Sequence, residues 1–307
     1  MTLQVARREL FALYSMGQEL APLGVDYFEA WQRHLLVLEE QRGSGDQDLD
    51  LFRAYTFVNA PWETLLGQPT IYVTMHFDLQ FMAGIGELAR ELTRRGLDRP
   101  LRAIVGGVSD GEVYRRINKN EGTDLAEEYC IETVGVEDPD FSAKVLDTMQ
   151  RRGSLIAAID ANQGTSEVHC APFLSSELEV RTGLFKLARA CSARVQPLIV
   201  ESDQARIYLG PSLDARSLGV KASIDGAVRF LGQHILRAPE KWLHWKYAMT
   251  LTSITHSNLN LPPANAPVRW VLSEDGGKIG LNLENLRLFE LDDETYDSLV
   301  KEEAVAL

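Results

Sequence analysis

The residues best able to do chemistry stand together near position 76. Residues 70–75 (TIYVTM) are apolar and β-branched and therefore predict a buried strand, which His76 and then Asp78 follow. Because side chains alternate along a strand, His76 and Asp78 are expected on the same side. A carboxylate beside an imidazole fixes its tautomer, as a general base requires. On these residues alone, a structural histidine is the alternative.

The segments around this strand predict an α/β fold. Further apolar runs occupy residues 101–107, 131–136, 154–160 and 194–200. Amphipathic segments alternate with them at residues 83–94, 141–152, 181–193 and 223–236. This alternation predicts a mostly parallel sheet flanked by helices. An apolar stripe that includes Trp31 and Leu35 predicts a pair of N-terminal helices over residues 3–38.

A change of composition at Pro262 and Pro263 predicts a domain boundary. We expect an α/β domain over residues 1–262, with residues 1–42 as its helical lead-in. After the boundary, two short apolar runs around a SEDGG turn predict a β-hairpin, and a short acidic helix follows. Residues 263–307 are therefore expected to form a small hairpin-plus-helix appendage.

Charge and composition exclude several classes of protein. The formal net charge of -13 argues against broad nucleic-acid binding, which requires cations along the phosphate backbone. No run approaches the ~20 apolar residues of a transmembrane helix, and the first residues lack a signal-peptide core, so a cytoplasmic protein is expected. Cys130, Cys170 and Cys191 lack metal-binding spacing, so no metal site is predicted and buried thiols are expected.

Three segments carry a resemblance to a known family. Residues 67–96 place a histidine at the end of a strand, before a helix. Residues 153–200 hold an ordered set of motif residues: Gly153, Asp160, Gln163, Gly164, Phe173, Thr182, Gly183 and Pro197. An aromatic and basic segment, PEKWLHWKYAM, begins at Pro239. In this order, over roughly residues 60–250, the chain resembles the lysophospholipid and lipid A acyltransferase superfamily.

The resemblance implies transfer of an acyl group from a thioester. The donor would be acyl-CoA or an acyl group on the phosphopantetheine arm of an acyl or peptidyl carrier protein, with no tightly bound cofactor. His76 would be the general base towards a hydroxyl or amine acceptor. The family places an acid five positions after the histidine, where this chain has Phe81. Asp78 or Asp160 is therefore expected to orient His76.

Six further residues are predicted to bind substrate. Phe77 and Phe81 flank the histidine segment, and Asn162 or Gln163 is expected to stabilise the oxyanion. Arg94 and Arg95 belong to a basic cluster that would dock the phosphopantetheine arm or an acidic carrier. An alternative for these arginines is a solvated helix face paired with acidic neighbours.

Acyl transfer is one of three functions that the sequence leaves open. The lack of a membrane anchor and the acidic composition favour a small-molecule or carrier-bound acceptor in a biosynthetic pathway. A second possibility is a non-catalytic protein that retains the fold and binds an acyl or peptide ligand. The third is a hydrolase with a His-Asp activated water.

Overall fold

The computed structural model describes residues 2–4, 7–44, 54–78, 81–96, 101–106, 131–161, 164–245, 270–273, 278–283 and 286–304. Contacts divide the chain into two compact units. The larger unit is residues 37–242, and the smaller combines residues 1–36 with residues 243–307. This division differs from the boundary predicted at residue 262, which itself lies outside the described residues.

The elements follow one another in chain order. The helices are α1 (Arg7–Leu20), α2 (Tyr27–Ser44), α3 (Trp62–Gly67), α4 (Phe81–Arg94), α5 (Phe141–Gln150), α6 (Gly183–Cys191), α7 (Ala215–Leu218), α8 (Val220–Arg237) and α9 (Asp293–Ala304). The strands are β1 (Thr2–Gln4), β2 (Thr56–Val58), β3 (Thr70–Thr74), β4 (Leu101–Val105), β5 (Ile131–Gly135), β6 (Ser154–Ala158), β7 (Val168–Phe173), β8 (Ser176–Arg181), β9 (Arg194–Glu201), β10 (Arg206–Leu209), β11 (Leu213–Asp214), β12 (Trp270–Ser273), β13 (Ile279–Asn282) and β14 (Arg287–Glu290). Short 3₁₀ turns occupy Ala21–Leu23 and Pro239–Lys241.

A mostly parallel sheet forms the centre of the larger unit, so the predicted fold class is confirmed. Its strand order is β2-β10-β9-β3-β6-β4-β5, and β11 pairs with the start of β9. The pairs from β9 to β5 are parallel, and only β10 and β11 run antiparallel to β9. All five residues of β3 are buried, as its unbroken apolar sequence predicted.

Helix α4 packs closely on one face of this sheet. Its apolar side chains, among them Ile85 and Leu88, form a core with Tyr72 of β3 and Ile156 of β6. The contact with β9 is closer still, because a Cβ atom added to Gly84 would lie 2.5 Å from both Cγ atoms of Val200. A glycine at this point of α4 therefore sets the distance between the helix and the sheet.

The chain leaves β3 and β6 in opposite directions along the sheet. After β3 it passes β6 to reach β4 and β5, and after β6 it passes β3 to reach β9. Opposite crossovers of parallel strands leave a crevice at the carboxyl ends of the two strands between them, where open α/β sheets bind ligands. The crevice of this fold thus lies beyond the ends of β3 and β6.

The smaller unit has its own four-stranded sheet. Strands β12, β13 and β14 pair antiparallel, and β1 joins the edge of β12 in parallel. The predicted N-terminal helix pair and C-terminal hairpin and helix are present, but residues 2–4 form a strand where a helix was expected from residue 3. Gln18 Nε2 donates to the carbonyl of Leu286, and Tyr27 Oη donates to that of Leu283. The two ends of the chain therefore build one unit together.

Among the described residues, no helix is long and apolar enough to cross a membrane. Two of the cysteines lie in the described part of the chain, and both are free thiols. Cys170 is exposed and Cys191 is half-buried, so the expectation of buried thiols is wrong for these two. Strand β7 exposes Cys170 because the β7-β8 hairpin is a separate two-stranded sheet. Cys130 lies outside the described residues.

Candidate active site

The register of the sheet brings His76 and Asp160 together. Thr74 at the end of β3 pairs with Ala158 at the end of β6, and the N–H of Ile159 donates to the carbonyl of Thr74. His76 and Asp160 each stand two residues beyond that last pair, although 84 residues separate them in sequence. Both side chains therefore lie at the carboxyl edge of the sheet, in the crevice between the two strands.

The carboxylate of Asp160 is held by donors on both oxygens. Its Oδ1 lies 2.8 Å from Nδ1 of His76. Its Oδ2 accepts from the backbone N–H of His76 at 3.0 Å and from the indole N–H of Trp242 at 2.8 Å. The Asp160 side chain is fully buried, so these donors replace water and stabilise the charged carboxylate. The prediction that Asp78 or Asp160 would contact His76 is confirmed, with Asp160 as the partner.

This arrangement determines the tautomer of His76. A carboxylate can only accept hydrogen bonds, so Nδ1 of the neutral imidazole carries the proton and Nε2 carries the lone pair. The imidazole is 24% exposed, so a reacting group can approach it. A buried carboxylate fixed behind a partly exposed histidine can orient a general base and stabilise the imidazolium that forms.

Asp78 has a different task from the one predicted. Its φ of 71° bends the chain directly after His76, and its backbone N–H donates to the carbonyl of Lys241 at 2.8 Å. Its buried carboxylate accepts from the backbone N–H of Ser202 at 3.0 Å and from the Ser202 hydroxyl at 2.6 Å. Asp78 therefore ties the turn after β3 to the turn after β9 and to the segment that leads into Trp242.

Lys241 completes this connection with its ammonium group. The Nζ atom lies 2.7 Å from Asp203 and 3.5 Å from Asp78. Burial disfavours the charged lysine, but the two carboxylates outweigh burial and raise the pKa of Lys241 above its usual value. Burial also works against the charge of Asp203, yet the hydrogen bond from Lys241 lowers the pKa of that carboxyl. These ion pairs hold Lys241 in place directly before Trp242, and so they indirectly support the dyad of His76 and Asp160.

The two phenylalanines predicted to bind substrate have different surroundings. Phe81, the first residue of α4, packs edge-on against the His76 ring with a centroid distance of 5.5 Å. The chain thus places an apolar wall beside the imidazole. Phe77 is 1% exposed and its backbone bridges to Trp242. Phe77 therefore packs in the interior, and this position gives no support to a contact with substrate.

Of the remaining predicted substrate residues, Arg94 and Arg95 do not join the site. Asn162 and Gln163 lie outside the described residues. Arg94 is in the last turn of α4, roughly 20 Å along the helix axis from the end that touches His76. Arg94 and Arg95 both pair with Glu91, and the Arg95 guanidinium also stacks over a tryptophan ring. The expectation that these arginines dock the phosphopantetheine arm or an acidic carrier at the site therefore has no geometric support.

Trp242 is the contact that the sequence prediction missed. The sequence showed that its segment is aromatic and basic. No local pattern, however, indicates which acceptor a buried indole N–H will bind. The indole is buried, and its ring packs against Phe173 at the end of β7 with a centroid distance of 5.1 Å. Only the three-dimensional fold brings these distant segments to Asp160, which is 82 residues from Trp242 in sequence.

Comparison with known proteins adds no assignment. No protein-family model matches the sequence, and no curated protein matches it either. The function must therefore be argued from the geometry around His76.

Proposed function

We propose that the protein is an acyltransferase in which His76 is the general base and Asp160 orients it. The observation that carries the proposal is the fully buried Asp160 carboxylate, held by Trp242 and by the His76 backbone against the ring of a partly exposed histidine. A histidine that only filled space would need no such buried charge, whose burial is costly unless hydrogen bonds compensate it.

The proposed reaction moves an acyl group from a thioester to a hydroxyl or amine. Nε2 of His76 removes the proton from the acceptor as its oxygen or nitrogen attacks the carbonyl carbon. The tetrahedral intermediate then collapses, the C–S bond breaks, and the imidazolium returns the proton to the departing thiolate. Asp160 stabilises the imidazolium between these two proton transfers. The products are an ester or amide and a free thiol.

The surroundings of the dyad favour an acyl substrate. Phe81 offers an apolar surface beside the imidazole, which suits a hydrocarbon chain better than a polar group. The resemblance to acyltransferases supplies the donor class, which is acyl-CoA or an acyl group on a carrier protein. A small-molecule acceptor and a cytoplasmic location belong to the same proposal, and the free thiols of Cys170 and Cys191 are in keeping with a reducing compartment.

The proposal is tested by measuring thiol release from a panel of acyl-CoA and acyl-carrier thioesters, with and without amine and alcohol acceptors. We expect acceptor-dependent release and an acylated product that mass spectrometry detects. His76→Ala and Asp160→Asn should each lower the rate by ~10²–10⁴-fold, because the base is lost or left without its orienting charge. Asp147→Asn makes the same chemical change at a partly exposed residue of α5, whose carboxylate pairs with Arg151, and should leave the rate unchanged.

Three results would contradict acyl transfer. Release at the same rate with and without acceptor would make water the acceptor and the protein a thioester hydrolase. Wild-type release in His76→Ala, with folding confirmed by circular dichroism, would remove the dyad from the reaction. A wild-type protein that retains an acyl ligand through purification but releases no thiol from any thioester would be a binding protein instead.

A further inference from the structure

The larger unit also has a cavity that lies away from the dyad of His76 and Asp160. It has a volume of about 1010 Å³ and is formed by the start of β7, one side of α6, and the chain from α7 into the first turn of α8. Glu167 and His169, which follow the Asp160 loop, line this cavity. Helix α8 has 18 residues, so its first turn lies about 27 Å along the axis from the end that leads to Trp242.

The cavity gathers positive charge in an acidic protein. Its lining includes four cationic side chains: Lys186, Arg189, Arg216 and Lys221. Lys186 pairs with Glu167 at 2.8 Å, and Lys221 also acts on Glu167 electrostatically, but in the described part of the chain Lys221, Arg189 and Arg216 have no carboxylate within ion-pair distance. In a protein with a net charge of -13, three unpaired cations around one cavity concentrate a positive potential there.

The backbone of α8 adds to this potential. Gly219 at its N-cap has no side chain to accept from the first-turn N–H groups, and residues 220–222 of that turn line the cavity. The preceding helix differs, because Asp214 accepts from the N–H groups of Arg216 and Ser217. An uncapped helix start presents N–H donors and the positive end of the helix dipole to an anion.

From these observations we propose that the cavity binds a small organic molecule carrying two or more phosphate groups. Three unpaired cations and the α8 N-terminus match more than one negative charge. The volume exceeds what inorganic phosphate fills and is typical of sites for small organic ligands. Apolar side chains at the edge, including Leu218 and Val220, offer a surface for the organic part. The site is distinct from the dyad and does not depend on acyl transfer.

A small molecule fits this cavity better than a membrane surface does. The cations line a concavity, whereas a lipid bilayer needs cations on a face that meets a plane. The net charge of the whole protein also opposes approach to anionic lipids. The proposal therefore commits to a soluble phosphorylated ligand.

Calorimetric titration of the full chain with pyrophosphate and with adenosine 3′,5′-bisphosphate tests this site. We expect saturable binding with one site per chain, weaker at higher salt because the cations are exposed. Lys221→Glu and Arg189→Glu should each weaken binding about tenfold or more, since each replaces an attraction by a repulsion. Arg229→Glu makes the same change on an exposed residue of α8 outside the cavity lining and should leave affinity nearly unchanged.

Three results would overturn the proposal. Absence of binding of both probes at low salt would remove the site. Equal weakening by Arg229→Glu would reduce the interaction to unspecific attraction. Binding to phosphatidylglycerol vesicles, lost in Lys221→Glu but without affinity for either soluble probe, would assign the cations to a lipid surface. The dyad variants His76→Ala and Asp160→Asn should bind both probes like the wild type, which keeps this test separate from acyl transfer.

Discussion

The turn after His76 depends on a carboxylate that takes no part in the proposed chemistry. Asp78 adopts a positive φ, which is uncommon for a residue with a side chain, and its buried carboxylate is met by Ser202 and Lys241. Asp and Asn tolerate this region better than other side chains because they hydrogen-bond locally. The backbone strain at Asp78 is thus offset by contacts from two other turns.

Replacing Lys241 by methionine should destabilise the protein in a pH-dependent way. The change leaves Asp78 buried without its cation, and we expect a loss of about 1–3 kcal/mol in the free energy of unfolding at neutral pH. The folded pKa of Lys241 is raised above 10.5, so its contribution is complete below that pH and is lost as the pH rises through the folded pKa. Urea unfolding at neutral pH and in steps above pH 10.5 measures the difference between the two proteins.

Lys186→Met is the matched control for this experiment, because Lys186 and Glu167 form an exposed ion pair. Exposed pairs contribute about 0–1 kcal/mol, so this variant should unfold nearly like the wild type. A loss in Lys241→Met that stayed constant above pH 10.5 would mean that the side chain stabilises by packing alone.

His76 and Asp160 could be predicted from the sequence, but the contact of Trp242 with Asp160 could not. His76 and Asp160 both follow apolar runs, and parallel strands place such ends on one edge, so local pattern and sheet geometry make both of them candidates. The choice between Asp78 and Asp160 required the register. Trp242 required the tertiary fold, since nothing local connects its indole to a carboxylate 82 residues away.

At the scale of the elements, the contact of α4 with β9 leaves no room for a side chain. Gly84 faces both Cγ atoms of Val200, and the same helix begins at Phe81 beside His76. A glycine in a helix interior costs about 0.5–1 kcal/mol relative to alanine. In return, the absence of a side chain at Gly84 allows the close approach of helix and sheet.

Gly84→Ala should therefore destabilise the protein although alanine is the better helix former. The added methyl would overlap Val200, and overpacking of this kind costs about 1–3 kcal/mol. Chemical denaturation measures the loss, and a second change, Val200→Ala, should recover part of it. Gly67→Ala, at the end of α3 with no atom within 4 Å of the added Cβ, is the control and should be neutral or slightly stabilising. Wild-type stability in Gly84→Ala would show that β9 can shift to make room for the methyl group at little cost in free energy.

The types of the elements were more predictable than their partners. The predicted helices at residues 83–94 and 223–236 agree with α4 and α8 within a few residues, because each has a clear apolar face. The strand at residues 2–4 was missed because three residues show no period, and only pairing with β12 defines them. The β7-β8 hairpin was also missed, although Leu178 and Val180 alternate with charged residues along β8.

At the scale of the whole chain, the smaller unit is built from both termini. The parallel pair of β1 with β12 and the hydrogen bonds of Gln18 and Tyr27 join residues 1–36 to residues 270–304. The predicted appendage is therefore the partner of the N-terminal helices as well as a terminal element.

Deleting residues 263–307 should expose the N-terminal helices to proteases. Without β12 and β13, α1 loses the sheet that it contacts in the full chain, and its buried Leu13 and Met16 would face water. Limited proteolysis with mass spectrometry should find much faster cleavage within residues 1–36 than in the full protein. Cleavage within α6, which belongs to the other unit, is the internal control. Unchanged protection of residues 1–36 would show that the two helices are stable by themselves.

The distance in sequence between His76 and Asp160 has a consequence for synthesis of the protein. The two residues meet only when β3 and β6 have paired across an 84-residue loop, and closing such a loop costs entropy before any contact repays it. Trp242 follows 82 residues later still, so the hydrogen bond from its indole to Asp160 forms only after that segment has been synthesised. The hydrogen-bonded arrangement around Asp160 is therefore completed only after the sheet around it has assembled.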